Sequence, residues 1–311
     1  MKKLKEILLG GLILLSGISS TAFSQNQNRG RLETLVSPEY TNITHSKINW
    51  TEIGQGLYFD KIEVYRGEEL VDRVAVTKIN PEYNEFKVFC GYDEQTGKLS
   101  SKTIEELQEH TKASIIFNSA QYQAEPFGRP CALMICNGKY VGPKNNQSVR
   151  GMFLAEPKDN SLPKADITDS QFERIDSALY KKYAQGVQHW PILLNREGKI
   201  KVIKTNWQAN RTVIAKDNEG NILAFTTEGG FFTLYNFAKF LKQLKESGLE
   251  IHTAMNLDGG YEGCMAINTP HLKYVTYGQF ETYGPDKDAT IPNAICPLPS
   301  VIGVFPRNKN Q

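Results

Sequence analysis

The residues best suited to chemistry sit together in Asn256-Leu257-Asp258-Gly259-Gly260. A carboxylate at the end of an apolar run, followed by two glycines, stands exposed at a sheet edge. The glycines let a backbone or a ligand come close, and polar groups on loops beside rigid elements recur in active sites. The same residues also spell an Asp-Gly-Gly turn in which Asp258 caps local amides, and on the bare pattern that is the simpler reading. Glu228, in Thr226-Thr-Glu-Gly-Gly230, is a second carboxylate at a strand end. It stands just before a long helix, whose N-terminus favours a charged carboxylate. It therefore reads as a partner for Asp258 or as decoration of that helix start. No G-x-S-x-G, H-E-x-x-H or P-loop occurs. Ser161-Leu-Pro-Lys164 matches Ser-x-x-Lys but lacks its companion motifs.

Two elements must hold this region. Residues 250–257 read as a buried strand that ends at Asp258. Ahead of it, Thr233 can cap a helix whose Leu234, Phe237, Ala238, Leu241 and Leu244 form one apolar stripe that Gly248 ends. A further buried strand, 113–117, delivers Asn118. Residues 103–110 read as a short helix with Thr103 as cap and Glu in the first turn. Asn137-Gly138 between apolar runs is a strong hairpin signal. Two more hairpins are expected, from 192–194 into 200–203 and from 212–215 into 222–225. Segments 57–59, 61–65, 71–76 and 85–90 have strand character, two of them with alternation. Residues 157–165 read as a polar excursion or lid, and 169–183 as helical. The class expected is α/β (α+β): a mixed, largely antiparallel sheet with packed helices, in one domain over 48–307.

The chain has 311 residues, 40% hydrophobic and 23% charged, with 36 Lys+Arg against 34 Asp+Glu for a net charge of +2. Such balance excludes a generic nucleic-acid binder, which needs a basic face. Lys2, Lys3 and Lys5 precede an apolar run over 7–18, and Ala22 and Ser24 are small residues near a cleavage point. This is the pattern of a secretory signal peptide over 1–24. The run is well short of the roughly 20 residues that a membrane span needs. A polar linker over 25–47 follows. The expectation is a periplasmic or secreted protein with no membrane span. Export permits disulfides, yet five cysteines (90, 131, 136, 264 and 296) leave at least one unpaired within the chain. They read either as small buried hydrophobes or as one or two bridges.

The helix 233–247 followed by Ala254-Met-Asn-Leu-Asp-Gly-Gly260 and Met265 resembles the phosphodiester glycosidase family. Further blocks follow in the family's order: Ile116-Phe-Asn118, Met134-Ile-Cys-Asn-Gly-Lys139, Val187-Gln-His-Trp-Pro-Ile-Leu193, and Asn210-Arg211-Thr212 with 217–220. The resemblance spans about residues 50–306. Two stretches depart from it. Ser119-Ala-Gln-Tyr122 stands where the family is Gly-rich, and Tyr261-Glu262 where it has Gly-Ser. The resemblance implies hydrolysis of a sugar C1–O bond beside a phosphate, in a glycan or polysaccharide, with a carbohydrate or sugar-phosphate as partner and no required cofactor. Phosphate leaves readily, so strong acid assistance matters less than in ordinary glycoside hydrolysis. A carboxylate must still attack or stabilise the oxocarbenium-like carbon, or activate water. Asp258 suits that role, with Glu228 as second candidate. Arg211, planar and permanently charged, suits the phosphodiester or a surface salt bridge. Asn118, Gln188 and Asn256 can hydrogen-bond sugar hydroxyls or serve as buried structural amides. Gly259 and Gly260 open the approach. His189, beside Trp190, can stack on a sugar ring or donate to phosphate, or be a half-buried structural residue. Two rival functions remain open: a binding protein of the same fold, and a phosphodiesterase that cuts P–O with a divalent metal on Asp258 and Glu228.

Overall fold

The computed structural model describes residues 43–144, 146, 148–281 and 295–308. The expected signal peptide and nearly all of the expected linker lie outside them. The strands in chain order are β1 (Ile43–His45), β2 (Thr51–Gly54), β3 (Leu57–Arg66), β4 (Glu69–Ile79), β5 (Asn84–Cys90), β6 (Ile115–Asn118), β7 (Met134–Cys136), β8 (Lys139–Val141) and β9 (Gly151–Pro157). They continue with β10 (Ala165–Asp169), β11 (Tyr183–His189), β12 (Ile192–Leu194), β13 (Thr212–Asp217), β14 (Ile222–Thr227), β15 (Ile251–Asn256), β16 (Met265–Asn268), β17 (Lys273–Thr276) and β18 (Ser300–Pro306). The α-helices among the described residues are α1 (Ile104–Thr111), α2 (Ser177–Tyr180) and α3 (Leu234–Gln243).

Alternation along these strands decides the layers. In β13, Val213 and Ala215 point to one face and Ile214 to the other, as a period of two requires. The first face belongs to an eight-stranded sheet ordered β1-β3-β4-β14-β13-β15-β12, with β2 added on β3. It is covered by α3, whose Phe237, Ala238, Phe240 and Leu241 are fully buried. Burying each Phe or Leu contributes on the order of 1.5–3 kcal/mol. Phe232 meets Phe237 edge-on, with ring centroids 4.9 Å apart. The opposite face meets two five-stranded sheets, β10-β9-β11-β7-β8 and β17-β16-β6-β18-β5. Ile214, Ala224 and Met255 from the first sheet, Phe153 and Val187 from the second and Phe117 and Ile302 from the third build one core. The two smaller sheets have their own outer cover: α2 over Ile135 and Leu154, and α1 over Ile116 and Val301. The sheets are antiparallel throughout, so the molecule is an α+β fold rich in sheet.

Local chemistry explains most boundaries. Thr103 and Glu106 close a capping box at α1. Thr233 caps α3, which tightens into a 3-10 turn over Leu244–Ser247 and ends at Gly248 with φ +83°. Asn137 and Gly138 both take positive φ in the β7–β8 turn. Three expectations are corrected. The helix expected over 169–183 is a single turn, because Asp169 starts a turn that accepts from Gln171 N, and Asp176 begins α2 only afterwards. Residues 157–165 belong to a hairpin, β9 pairing with β10. The strand expected over 200–203 is one bridge, Leu194 with Ile200. The first sheet also begins earlier than residue 48, since β1 pairs with β3. No helix among the described residues is long and apolar enough to cross a membrane. All five cysteines are free thiols.

Candidate active site

The ends of β6, β13 and β15 meet around Asn118. Its Nδ2 donates to the Asp258 carbonyl at 2.7 Å. Its Oδ1 accepts from Thr212 Oγ1 at 2.6 Å and from Cys264 N at 3.1 Å. Asp258 N in turn donates to Ser119 O, and Leu257 N to Thr212 O. The backbone of Asp258 is thus held on both sides by the strand that ends in Asn118. Its side chain is left to face a narrow crevice, lined also by Tyr122, Glu262, Leu298 and Ser300. A wider groove between β1 and the end of α3 lies away from these groups.

Gly259 and Gly260 admit the protein's own chain. A Cβ on Gly259 would stand 2.6 Å from Asn210 O, and one on Gly260, where φ is +63°, would strike the Glu281 carboxyl. Gly260 N donates to Asn210 O at 2.9 Å. The chain then makes a 3-10 turn over Gly260–Glu262, which returns Glu262 to the crevice beside Asp258. Tyr122 OH donates to Glu262 Oε1 at 2.6 Å, and the Cys296 thiol lies 3.8 Å from the same oxygen.

The electrostatics follow from this geometry. Burial raises the Asp258 carboxyl well above its usual range, and the neighbouring Glu262 charge adds to that; the Gly259 N–H works against it. Burial also raises Glu262, opposed by the Tyr122 hydrogen bond. Glu281 is pushed up to about 7 by burial and by Glu262, with Arg211 pulling the other way. Cys131 is pushed up to about 12 by burial and by the Asp258 charge. Asp258 and Glu262 nevertheless keep part of their surface open.

The other expected residues are distributed around this centre. Arg211 is buried; its Nε donates to Phe232 O at 3.1 Å and its Nη2 to Trp207 O at 2.6 Å. Burial lowers it to about 10, and the Glu281 charge opposes that. Gln188 is buried, with Nε2 on Asn146 O and Val149 O and Oε1 accepting from Leu133 N. His189 is buried, stacked on Trp190 at 5.0 Å and bonded through Nδ1 to Asn256 O at 2.8 Å. Burial lowers it to about 4, so the ring is neutral at pH 7. His189 Nε2 and Asn256 Oδ1 are buried without a partner. Glu228 sits apart from the crevice: Tyr274 OH donates to it at 2.7 Å and Lys61 pairs with it at 3.3 Å. The carboxyls that face Asp258 are Glu262 and Glu281 instead. Among the described residues no three His, Cys, Asp or Glu side chains gather as metal ligands.

Sequence reasoning missed Glu262, Tyr122 and Glu281. A signal for the first two was present, since both stand in the stretches that depart from the family pattern. Glu281 carried none.

Fold and site together define an α+β protein with a carboxyl-lined crevice where three strand ends meet. The phosphodiester glycosidase family model matches residues 111–304, and the chain belongs to that family. No curated protein matches it by sequence. Two solved structures share the fold. The zebrafish N-acetylglucosamine-1-phosphodiester α-N-acetylglucosaminidase catalytic domain, auto-inhibited by its pro-peptide, is 16% identical, with 85% of this chain and 88% of that chain covered and a TM-score of 0.57. A hypothetical protein from Synechocystis is 14% identical, with 85% of this chain and 64% of that chain covered and a TM-score of 0.52.

Proposed function

We propose that the protein is an exported hydrolase that cleaves the sugar C1–O bond of a sugar-1-phosphodiester in a glycan or polysaccharide. The observation that carries this reading is the placement of Asp258. Its backbone is clamped by Asn118 and Ser119 while its carboxyl faces a narrow crevice that Tyr122 and Glu262 also line. Family membership supports the reaction class, and the name of the zebrafish relative supports the kind of substrate. Asp258 meets the anomeric carbon as positive charge develops there, or takes the proton of the attacking water. The phosphate departs as a stable anion. Asn118 acts through Asp258, whose carbonyl its Nδ2 holds at 2.7 Å. Gln188 and His189 bond the backbone of Val149 and Asn256, and none of Gln188, His189 and Asn256 lines the crevice. Arg211 holds the backbone at Trp207 and Phe232 and places a buried positive charge opposite Glu281. Export rests on the leader pattern of residues 1–24.

The test is Asp258→Asn, assayed on UDP-N-acetylglucosamine and a panel of nucleotide-linked sugars. The change is isosteric, so the melting temperature should stay close to wild type. Turnover should fall on the order of 10²–10⁴-fold. Activity within a few-fold of wild type would remove Asp258 from the reaction.

A further inference from the structure

We propose that Cys90 and Cys136 are a redox pair that closes a disulfide between the second and third sheets when the protein meets a small-molecule disulfide. The pair lies outside the chemistry at Asp258 and does not depend on it. β5 is the edge strand of the third sheet, and one side of it pairs with β18. On its other side, Phe86 N donates to Glu156 Oε1 at 2.9 Å and Val88 N to Gln185 Oε1 at 3.0 Å. Both acceptors belong to the second sheet, on β9 and β11. The same Gln185 oxygen accepts from Asn137 N at 3.2 Å. One amide therefore fastens the backbone two residues before Cys90 to the backbone one residue after Cys136. Strand alternation then turns both thiols the same way. Phe86 and Val88 in β5 and Met134 in β7 face the shared core, and Cys90 and Cys136, each one period further on, pack against it. There the two side chains are hydrogen-bond partners of each other. Both keep part of their surface open, which leaves a path for a small reagent.

The two thiols differ in role. The hydrogen bond from Cys136 lowers the Cys90 thiol below its ordinary value, with burial opposing; the same bond and burial raise Cys136. Cys90 supplies the thiolate, the form that attacks. It bonds to one sulfur of the reagent RSSR, whose S–S bond breaks and releases a thiolate that takes up the proton Cys90 has lost. Cys136 then gives up its own proton and bonds to the Cys90 sulfur, and the mixed disulfide breaks to release the second RSH. The sum is two protein thiols plus RSSR to one protein disulfide plus two RSH; the cysteines are oxidised and the reagent is reduced. The other three thiols are set apart. Burial and the Asp258 charge push Cys131 up to about 12, and burial with nearby charges raises Cys264 and Cys296. They stay protonated and unreactive. An exported chain, as proposed above, meets such oxidants in its compartment.

The experiment treats the purified, folded full chain with oxidised glutathione. The reaction is quenched in acid, and the unfolded chain is alkylated with N-ethylmaleimide. Chymotrypsin cuts after Leu133, between Cys131 and Cys136, so mass spectrometry assigns each cysteine separately. The expected product is one linked pair, Cys90 with Cys136, lighter than the two reduced peptides by two hydrogen atoms. Cys131, Cys264 and Cys296 should all carry the alkyl group. Dithiothreitol should return Cys90 and Cys136 to the alkylated set. Alkyl groups on both Cys90 and Cys136 after glutathione treatment would overturn the proposal. So would a bridge from either to another cysteine, or glutathione left on Cys90 with no closure. Wild-type protein alone decides the matter, so no variant has to fold. Neither result bears on the hydrolase reading, which is tested at Asp258.

Discussion

Asn118 spends every polar group of its side chain inside the protein, and that sets what its loss should do. Its amide ties β6 to β13, to Asp258 and to Cys264. Removing it strands buried partners at a cost of about 1–3 kcal/mol for each unsatisfied group. Asn118→Ala should therefore lower both the urea midpoint and turnover. A variant of unchanged stability that only raised KM would instead mark Asn118 as a substrate contact. Arg211 makes a similar case. A lysine offers one nitrogen where the guanidinium serves two carbonyls, so Arg211→Lys should lose at least one charged hydrogen bond, about 1.5–3 kcal/mol. An unchanged denaturation midpoint would show that the fork at Trp207 and Phe232 does not matter. Asp258 was legible in the sequence because its glycines follow it directly in the chain. Glu262 was not, because its partner Tyr122 is 140 residues away and only the turn at Gly260–Glu262 brings them together.

The elements that carry these residues have weak points of their own. Thr233 holds the first turn of α3 through Asn236 N at 3.2 Å. Thr233→Ala should cost about 1 kcal/mol, readable by urea denaturation, and no loss would mean that packing alone holds the turn. At the junction of β4 and β14, Asp72 accepts from Gly229 N at 2.7 Å and Phe231 N at 3.2 Å, pinning the segment that leads into α3. Burial pushes this carboxyl up to about 7 from its ordinary 3.8. The native state then holds a proton that the unfolded state has lost, so the stability of the fold falls as pH rises from about 4 to about 7. Asp72→Asn should flatten that slope by up to about 1.4 kcal/mol per pH unit. Identical slopes in urea titrations at pH 5 and pH 7 would contradict the assignment. Most elements near the site were legible, since the α3 stripe, the Asn137-Gly138 turn and the alternation in β13 are local signals. Residues 169–183 were misread because Asp169 and Asp176 compete for local amides, and that competition resolves as a turn and then a single helical turn.

At the scale of the molecule, three sheets share one core and each carries a helix on its outer side, so strand ends from different sheets converge at Asp258. That convergence depends on pairings far apart in sequence, such as β6 with β18 and β13 with β15, which no local pattern announces. Export is checked by mass spectrometry of the protein recovered from the periplasm or medium. A mature N-terminus near Gln25 is expected, and an intact Met1 would refute it. The central claim is that the bond broken is C1–O. Hydrolysis of a nucleotide-linked sugar in oxygen-18 water tests it directly. The account predicts label in the sugar hydroxyl and none in the phosphate; label in the phosphate would mean P–O cleavage and would contradict it.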